Sequence, residues 1–356
     1  MDASPVSVPG SPSAAPAPLP VFFFHGVLMN ARSGATFAAK MAAEGRHFVP
    51  LSFCTGKRSI RALKDQVVLA IAQIRETVSG DTRFDDGYVF LGYSQGSVIA
   101  RTVVEEMDDH RVKTFISMAG PVNGLFFGPQ PEDQTSLQKF LKELGPVLIP
   151  PSVFNFSKYA GKAKLGVGKF QSDFDALLRN QPALQSQFAF INMQRSPLMN
   201  SWKAKNVLLA ELNNVNICSQ EGGEDVVKDQ QRRRANFLKL QVAHFFASPD
   251  DGLVSPWQSS ILGQYSELNG GNVGDEDDEI ILTKFGSLHV VDMKDTVEYQ
   301  QDTYGLKTLD ERNGLFLHVL PGVAHNGWIT DTNEFGPNPS TYKFSDVYEK
   351  HLQPLF

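Results

Sequence analysis

Short, wholly apolar runs separated by amphipathic stretches dominate the first third of the chain. Val21–Phe24 is apolar at every position and ends in His25-Gly26, the pattern of a strand buried on both faces of a parallel sheet. A helix rich in small residues is expected over about Ala31–Ala43, closing at Gly45, and His47–Phe53 reads as the next strand. Ile60, Leu63, Val67, Ile71, Ile74 and Val78 then recur at steps of three and four, one face of an amphipathic helix closed by Ser79-Gly80. Tyr88–Leu91 is a further apolar run. A helix follows over about Gln95–Met107, and Lys113–Met118 reads as a strand ending in Ala119-Gly120. Alternation of this kind implies right-handed βαβ units and a parallel sheet covered by helices.

The pattern loosens between Asn123 and Asn206. Pro and Gly breaks and helical patches such as Ser136–Leu144 and Ser172–Arg179 predict a largely helical lid inserted over the sheet, about residues 125–205. Asn206–Leu212, Leu238–Ala247 and Leu315–Leu320 resemble late core strands. The expected class is therefore α/β, a mostly parallel central sheet flanked by helices, in one domain over residues 21–356. Residues 1–20, rich in Pro, Ala and Ser, are expected to form a disordered arm and lack the regions of a signal peptide. The acidic run Asp275–Glu279, in a segment of about residues 267–279, reads as a solvated loop, and Arg232-Arg233-Arg234 as a solvated helix face.

Composition narrows the function classes. Of 356 residues, 42% are apolar and 20% charged, a balance typical of soluble globular proteins. The net charge of -6 argues against nucleic acid or an anionic membrane surface as the principal partner. No run approaches the roughly 18 apolar residues of an integral membrane segment. Two cysteines, Cys54 and Cys218, allow at most one disulfide, and no Cys/His cluster has zinc-site spacing. The 26 phenylalanines mostly supply core, with some free to line an apolar pocket.

The sharpest chemical signal is Gly92-Tyr93-Ser94-Gln95-Gly96, a G-x-S-x-G elbow with a strand immediately before it and a helix immediately after. A serine hydroxyl needs an adjacent base. His25, His47 and His110 precede or crowd the elbow, His289 and His318 sit in apparent strand runs, and His351 is near the terminus. His325 instead lies in the loop Pro321–Gly327, just past the last expected strand, where a general base belongs. The acid should follow the preceding strand, where Asp250 and Asp251 compete; the D-x-x-V-x-P spacing from Asp251 resembles the acid turn of α/β-hydrolases, and that resemblance favours Asp251. The backbone N–H groups of Val27 and Gln95 are the expected oxyanion hole.

With these residues placed, the chain resembles the palmitoyl-protein thioesterase family of the α/β-hydrolase superfamily. The likeness rests on Phe24-His25-Gly26, Leu91–Gly96, Ile116–Pro121 with Gly124–Gly128, Val207–Asn213, Asp251–Tyr265 and Asp302–Asp310. It departs at Ser97, where the family usually shows a second glycine, and in having few cysteines and no visible export signal, although the family is lysosomal. The resemblance implies hydrolysis of palmitoyl thioesters on S-acylated proteins by Ser94, His325 and Asp251, with no metal or organic cofactor. Leu125, Phe126, Phe127, Phe154 and Phe156 are candidates for an acyl pocket, with Val147, Leu148, Ile149 and Val153 beside them. The triad alone does not separate a thioesterase from a lipase or carboxylesterase acting on oxyesters, and a catalytically inactive binding module is a third reading.

Overall fold

The computed structural model describes residues 18–161, 168–216, 223–268, 277–331 and 342–356. Cys218 and nearly all of the expected N-terminal arm fall outside them. Pro20, the last residue of the expected arm, is buried, and its carbonyl accepts a hydrogen bond from Val89 N–H at 2.9 Å.

Among the described residues the main sheet has six strands: β1 (Val21–Phe24), β2 (Phe48–Pro50), β3 (Tyr88–Tyr93), β4 (Val112–Met118), β5 (Val242–Ala247) and β8 (Leu315–Val319). They lie in the order β2-β1-β3-β4-β5-β8, and every pairing is parallel. A second, two-stranded antiparallel sheet joins β6 (Gln264–Tyr265) to β7 (Val290–Val291). This is the α/β-hydrolase fold.

The continuous apolar runs are explained by burial on both faces. Successive strand residues point to opposite sides. Phe22 and Phe24 enter one core with α2 (Leu63–Val78) and α3 (Gln95–Glu106). Val21 and Phe23 enter the other, with Phe37 and Met41 of α1 (Ala35–Ala43) and with Trp328 and Tyr348 from the C-terminal region.

Four expectations need correction. Asn206–Leu212 is not a strand: the Asn206 side-chain carbonyl accepts from Leu208 N–H at 3.1 Å and Ala210 N–H at 3.2 Å, and a short helix, Leu209–Leu212, follows. That local cap offers the backbone an alternative to strand pairing. Residues 238–241 form a turn before β5 instead of its start. Most of the acidic segment lies outside the described residues, but its end at Asp277–Glu279 opens a helix that runs to Lys284. The three arginines on the helix Gly223–Phe237 are not a solvated face. Arg232 pairs with Glu106 at 2.5 Å, Arg233 is buried near Glu106 and Asn214, and Arg234 pairs with Asp302 at 2.5 Å. They join this helix to the end of α3 and to the segment Asp302–Asp310.

Candidate active site

Parallel strands bring their carboxyl ends to one edge, and the loops leaving β1, β3, β5 and β8 meet there. Ser94 occupies the turn from β3 into α3 with φ 55° and ψ -130°, a conformation costly for a residue bearing a Cβ. The flanking glycines permit it. A Cβ on Gly96 would fall 2.2 Å from the Phe24 carbonyl oxygen, and one on Gly92 would fall 2.5 Å from Ser97 Cα. Ser97, the departure from the family pattern, fits because Gly120 faces it: a Cβ there would lie 2.2 Å from Ser97 Cβ.

His325 reaches both expected partners. Its Nε2 lies 3.0 Å from Ser94 Oγ, and its Nδ1 lies 2.9 Å from each carboxylate oxygen of Asp251. With the proton on Nδ1 and aimed at the carboxylate, Nε2 can accept the serine proton. All three groups are buried.

Backbone bonds hold them in place. Asp251 Oδ1 accepts from Leu253 N–H at 3.0 Å and Val254 N–H at 2.7 Å, and His325 N–H donates to the Asp251 carbonyl at 3.0 Å. Asp250 does a different job: its Oδ2 accepts from Gly322 N–H at 2.7 Å and ties down the loop that carries His325. Beneath the imidazole, the Tyr93 hydroxyl donates to Asn326 Oδ1 at 2.8 Å and lies 3.1 Å from the His325 carbonyl oxygen. Burial, reinforced by the Asp251 charge, pushes the Tyr93 hydroxyl well above its ordinary pKa, so it stays a donor.

The remaining histidines have other surroundings. His25 is buried, stacks on Phe53 at 5.0 Å and has Nδ1 2.9 Å from the Gly26 carbonyl; burial lowers its pKa and keeps it neutral. His318, in β8, stacks on Phe246 at 4.2 Å and has Nε2 3.1 Å from His244 Nδ1. His289 is exposed, not in a core strand as its apolar neighbours suggested.

Val27 and Gln95 line a cavity together with Ser94 and His325. Val27 N–H has no hydrogen-bond acceptor among the described residues. Gln95 is the first residue of α3, and its N–H is one of the helix's leading donors without an intrahelical partner. A loop N–H and the N–H at a helix N-terminus, both beside a nucleophile, can stabilise an oxyanion.

Away from the polar edge the cavity is apolar. Leu125, Phe127 and Leu148 line it, together with Phe140, Leu144, Phe190 and Met193, which had not been singled out. Leu137, Phe140, Leu141 and Leu144 repeat at steps of three and four, a stripe that could have pointed to this wall. Three expected pocket residues lie elsewhere. Phe126 packs on Tyr265 at 5.9 Å, in a cluster with Leu198, Ile281 and Phe285. Phe154 sits 5.0 Å from Phe174 and Phe156 sits 5.3 Å from Phe140, both in an aromatic layer behind the cavity wall. Val147 is largely exposed.

Residues 20–325 match the family model described as palmitoyl protein thioesterase. The chain belongs to that family. Among similar proteins, the Lysosomal thioesterase PPT2-B of Xenopus laevis is 25% identical over 338 residues, covering 94% of this chain and 92% of its own. The Lysosomal thioesterase PPT2 of Homo sapiens is 25% identical over 88% of this chain and 86% of its own. The Palmitoyl-protein thioesterase 3 of Dictyostelium discoideum is 22% identical over 88% and 87%. The match to the family model begins just before β1 and ends at His325, so it spans all four loops that meet at the sheet edge. No described helix is long and apolar enough to cross a membrane.

Proposed function

We propose that this member of the palmitoyl protein thioesterase family hydrolyses long-chain acyl thioesters of the palmitoyl class on S-acylated proteins or peptides. The observation that carries the reading is a Ser94–His325–Asp251 hydrogen-bond chain opening onto an apolar pocket lined by Leu125, Phe127, Phe140 and Met193. Membership of the family and the names of its relatives support the thioester as the bond cleaved.

Ser94 Oγ attacks the thioester carbonyl while His325 Nε2 takes its proton. Asp251 holds the ring in the required tautomer and stabilises the imidazolium that forms. The carbonyl oxygen becomes an oxyanion facing the Val27 and Gln95 N–H groups. Collapse expels the thiolate, which takes the proton from His325, and leaves an acyl-serine. Water, deprotonated by His325, then attacks that ester and releases the fatty acid. The apolar wall binds the acyl chain, gaining up to roughly 0.8 kcal/mol per methylene buried.

The test is hydrolysis of an S-palmitoyl peptide and of a matched long-chain oxyester by wild type and Ser94→Ala. The expected result is a thioester preference in wild type and a loss of several orders of magnitude in kcat for the variant. A strong oxyester preference would reassign the protein as a lipase or carboxylesterase. Turnover that survives Ser94→Ala, or a wild type that neither hydrolyses either ester nor labels with a fluorophosphonate, would sink the serine mechanism.

A further inference from the structure

Behind the two proposed oxyanion donors lies a buried polar cluster to which the reaction steps give no part: Ser59, Gln66 and the side chain of Gln95. Ser59 and Gln66 are fully buried and Gln95 almost so. Burying three polar side chains is unfavourable unless each is well bonded, and an apolar filling would serve the core as well. Here their bonds converge on the two loops that carry the donors.

One branch reaches the loop after β1. Leu28, the residue after Val27, has φ 62°, in the left-handed region that disfavours a branched side chain. Its N–H donates to Ser59 Oγ at 2.6 Å, and Ser59 Oγ–H donates to the Gly56 carbonyl at 2.6 Å. The turn is closed on its other side by Met29 N–H to the Gly26 carbonyl at 3.3 Å and by Gly56 N–H to the Met29 carbonyl at 2.7 Å. Without an acceptor at Ser59, the Val27–Leu28 peptide can turn over and release the unfavourable φ, shifting Val27 with it. The other branch reaches the elbow. Gln95 Nε2 donates to the Ser59 carbonyl at 2.9 Å and lies 3.3 Å from Gln66 Oε1. Gln66 Nε2, on α2, donates to the Ser59 carbonyl at 2.9 Å and the Arg61 carbonyl at 2.7 Å.

We infer that Ser59 is a positioning residue for the oxyanion hole: its hydroxyl fixes the Val27 side, and its carbonyl, with Gln66, fixes the Gln95 side. One residue thereby sets the distance between two donors that come from different strands. The inference rests on the serine mechanism proposed above.

The experiment compares wild type, Ser59→Ala and Gln66→Met with three probes: a palmitoyl thioester, a long-chain alkyl trifluoromethyl ketone that adds to serine as an oxyanion, and a non-hydrolysable palmitoyl thioether. Ser59→Ala should lower kcat at least about tenfold and weaken the ketone in step, while KM and thioether affinity stay within about twofold. Gln66→Met, which leaves the Leu28 N–H bonded, should show the same split to a smaller degree. A merely structural role would lower the melting temperature without this split. A kcat within about twofold of wild type in both variants, or a loss of thioether affinity as large as the loss of kcat, overturns the positioning role. If Ser59→Ala does not fold, an unchanged kcat in Gln66→Met overturns it alone. If Ser94→Ala retains turnover, the mechanism itself has failed and this role falls with it.

Discussion

The edge of the sheet and the cover, the segment of about residues 125–205 that contributes the apolar wall beside Ser94, are built on different principles. At the edge, Ser94, Asp251 and His325 sit on loops whose backbone is bonded to backbone or to one carboxylate, as in Asp251 Oδ1 to two N–H groups and Asp250 to Gly322. In the cover, side chains determine position: Phe140 stacks on Phe190 at 4.7 Å, and Phe156 and Phe174 pack behind them. The first arrangement fixes three side chains through directional hydrogen bonds. The second shapes a volume, and a volume can be altered by one side chain without disturbing the hydrogen bonds below it.

The largest effect that can test this contrast separates the two adjacent aspartates. Asp251→Asn should leave the fold intact and lower kcat by about four orders of magnitude, because an amide facing Nδ1 favours the wrong tautomer. Asp250→Ala removes only the tie to Gly322 and should cost less than about tenfold. Steady-state kinetics on one thioester substrate decides it. Equal losses would mean that the loop's anchor matters as much as the carboxylate facing the ring.

The two regions also differ in how far residue patterns foretold them. The elbow and the candidacy of His325 could be read because each is a local constraint, a turn needing glycines and a base belonging past the last strand, whereas the choice of Asp251 over Asp250 rested on resemblance to the D-x-x-V-x-P turn. The strands β1 and β3 were legible for the same reason, since four consecutive apolar residues between turn signals leave few alternatives. Asn206–Leu212 was not, because a side-chain cap three atoms long overrode an apolar run. In the cover, Leu125 and Phe127 line the cavity beside Ser94, whereas Phe154 and Phe156 lie one layer behind. Apolar spacing shows that a residue is buried, not which of two buried layers it joins. Nor could the bond between Ser59 and Leu28 be foreseen, as 31 positions separate them and neither type announces the pairing.

A cavity-wall substitution and a second-layer substitution should therefore behave as opposites. Leu144→Trp projects bulk into the cavity. It should lower kcat/KM for a sixteen-carbon thioester by about tenfold or more relative to a short-chain thioester, with little change in melting temperature. Phe156→Ala empties a site whose ring touches Phe140 and Phe154. It should destabilise by about 3–5 kcal/mol while leaving the chain-length preference of the surviving folded protein within about twofold. Denaturant unfolding and a series of acyl chain lengths measure the two quantities separately. A shift in chain-length preference in Phe156→Ala would erase the distinction between layers.

The smallest effect concerns the point where cover and edge are fastened together. Asp133 opens the cover, and its Oδ2 accepts from the Tyr265 hydroxyl and from Gly128 N–H, the latter at 3.1 Å. Tyr265 follows the acid loop in sequence, and Ser255 of that loop donates to the Phe126 carbonyl at 3.1 Å. Burial pushes the Asp133 carboxyl up to about 6, against the donated hydrogen bonds that favour its ionised form. A carboxyl raised in this way binds its proton more tightly when folded. Its contribution to stability is thus complete below the ordinary carboxylate pKa near 4 and is lost as pH rises through about 6. Both donors reach the same oxygen, so Asn can keep them while removing the titration. Asp133→Asn should therefore gain on wild type as pH rises from 4 to 7, by about 3 kcal/mol if the whole shift is expressed. Urea unfolding of both proteins across that range gives the difference directly, free of the other titrating groups they share. A gap that stays constant with pH would mean that the anchor carries its charge as readily folded as unfolded. The fastening between cover and edge would then be insensitive to acid, like the backbone bonds that hold Asp251.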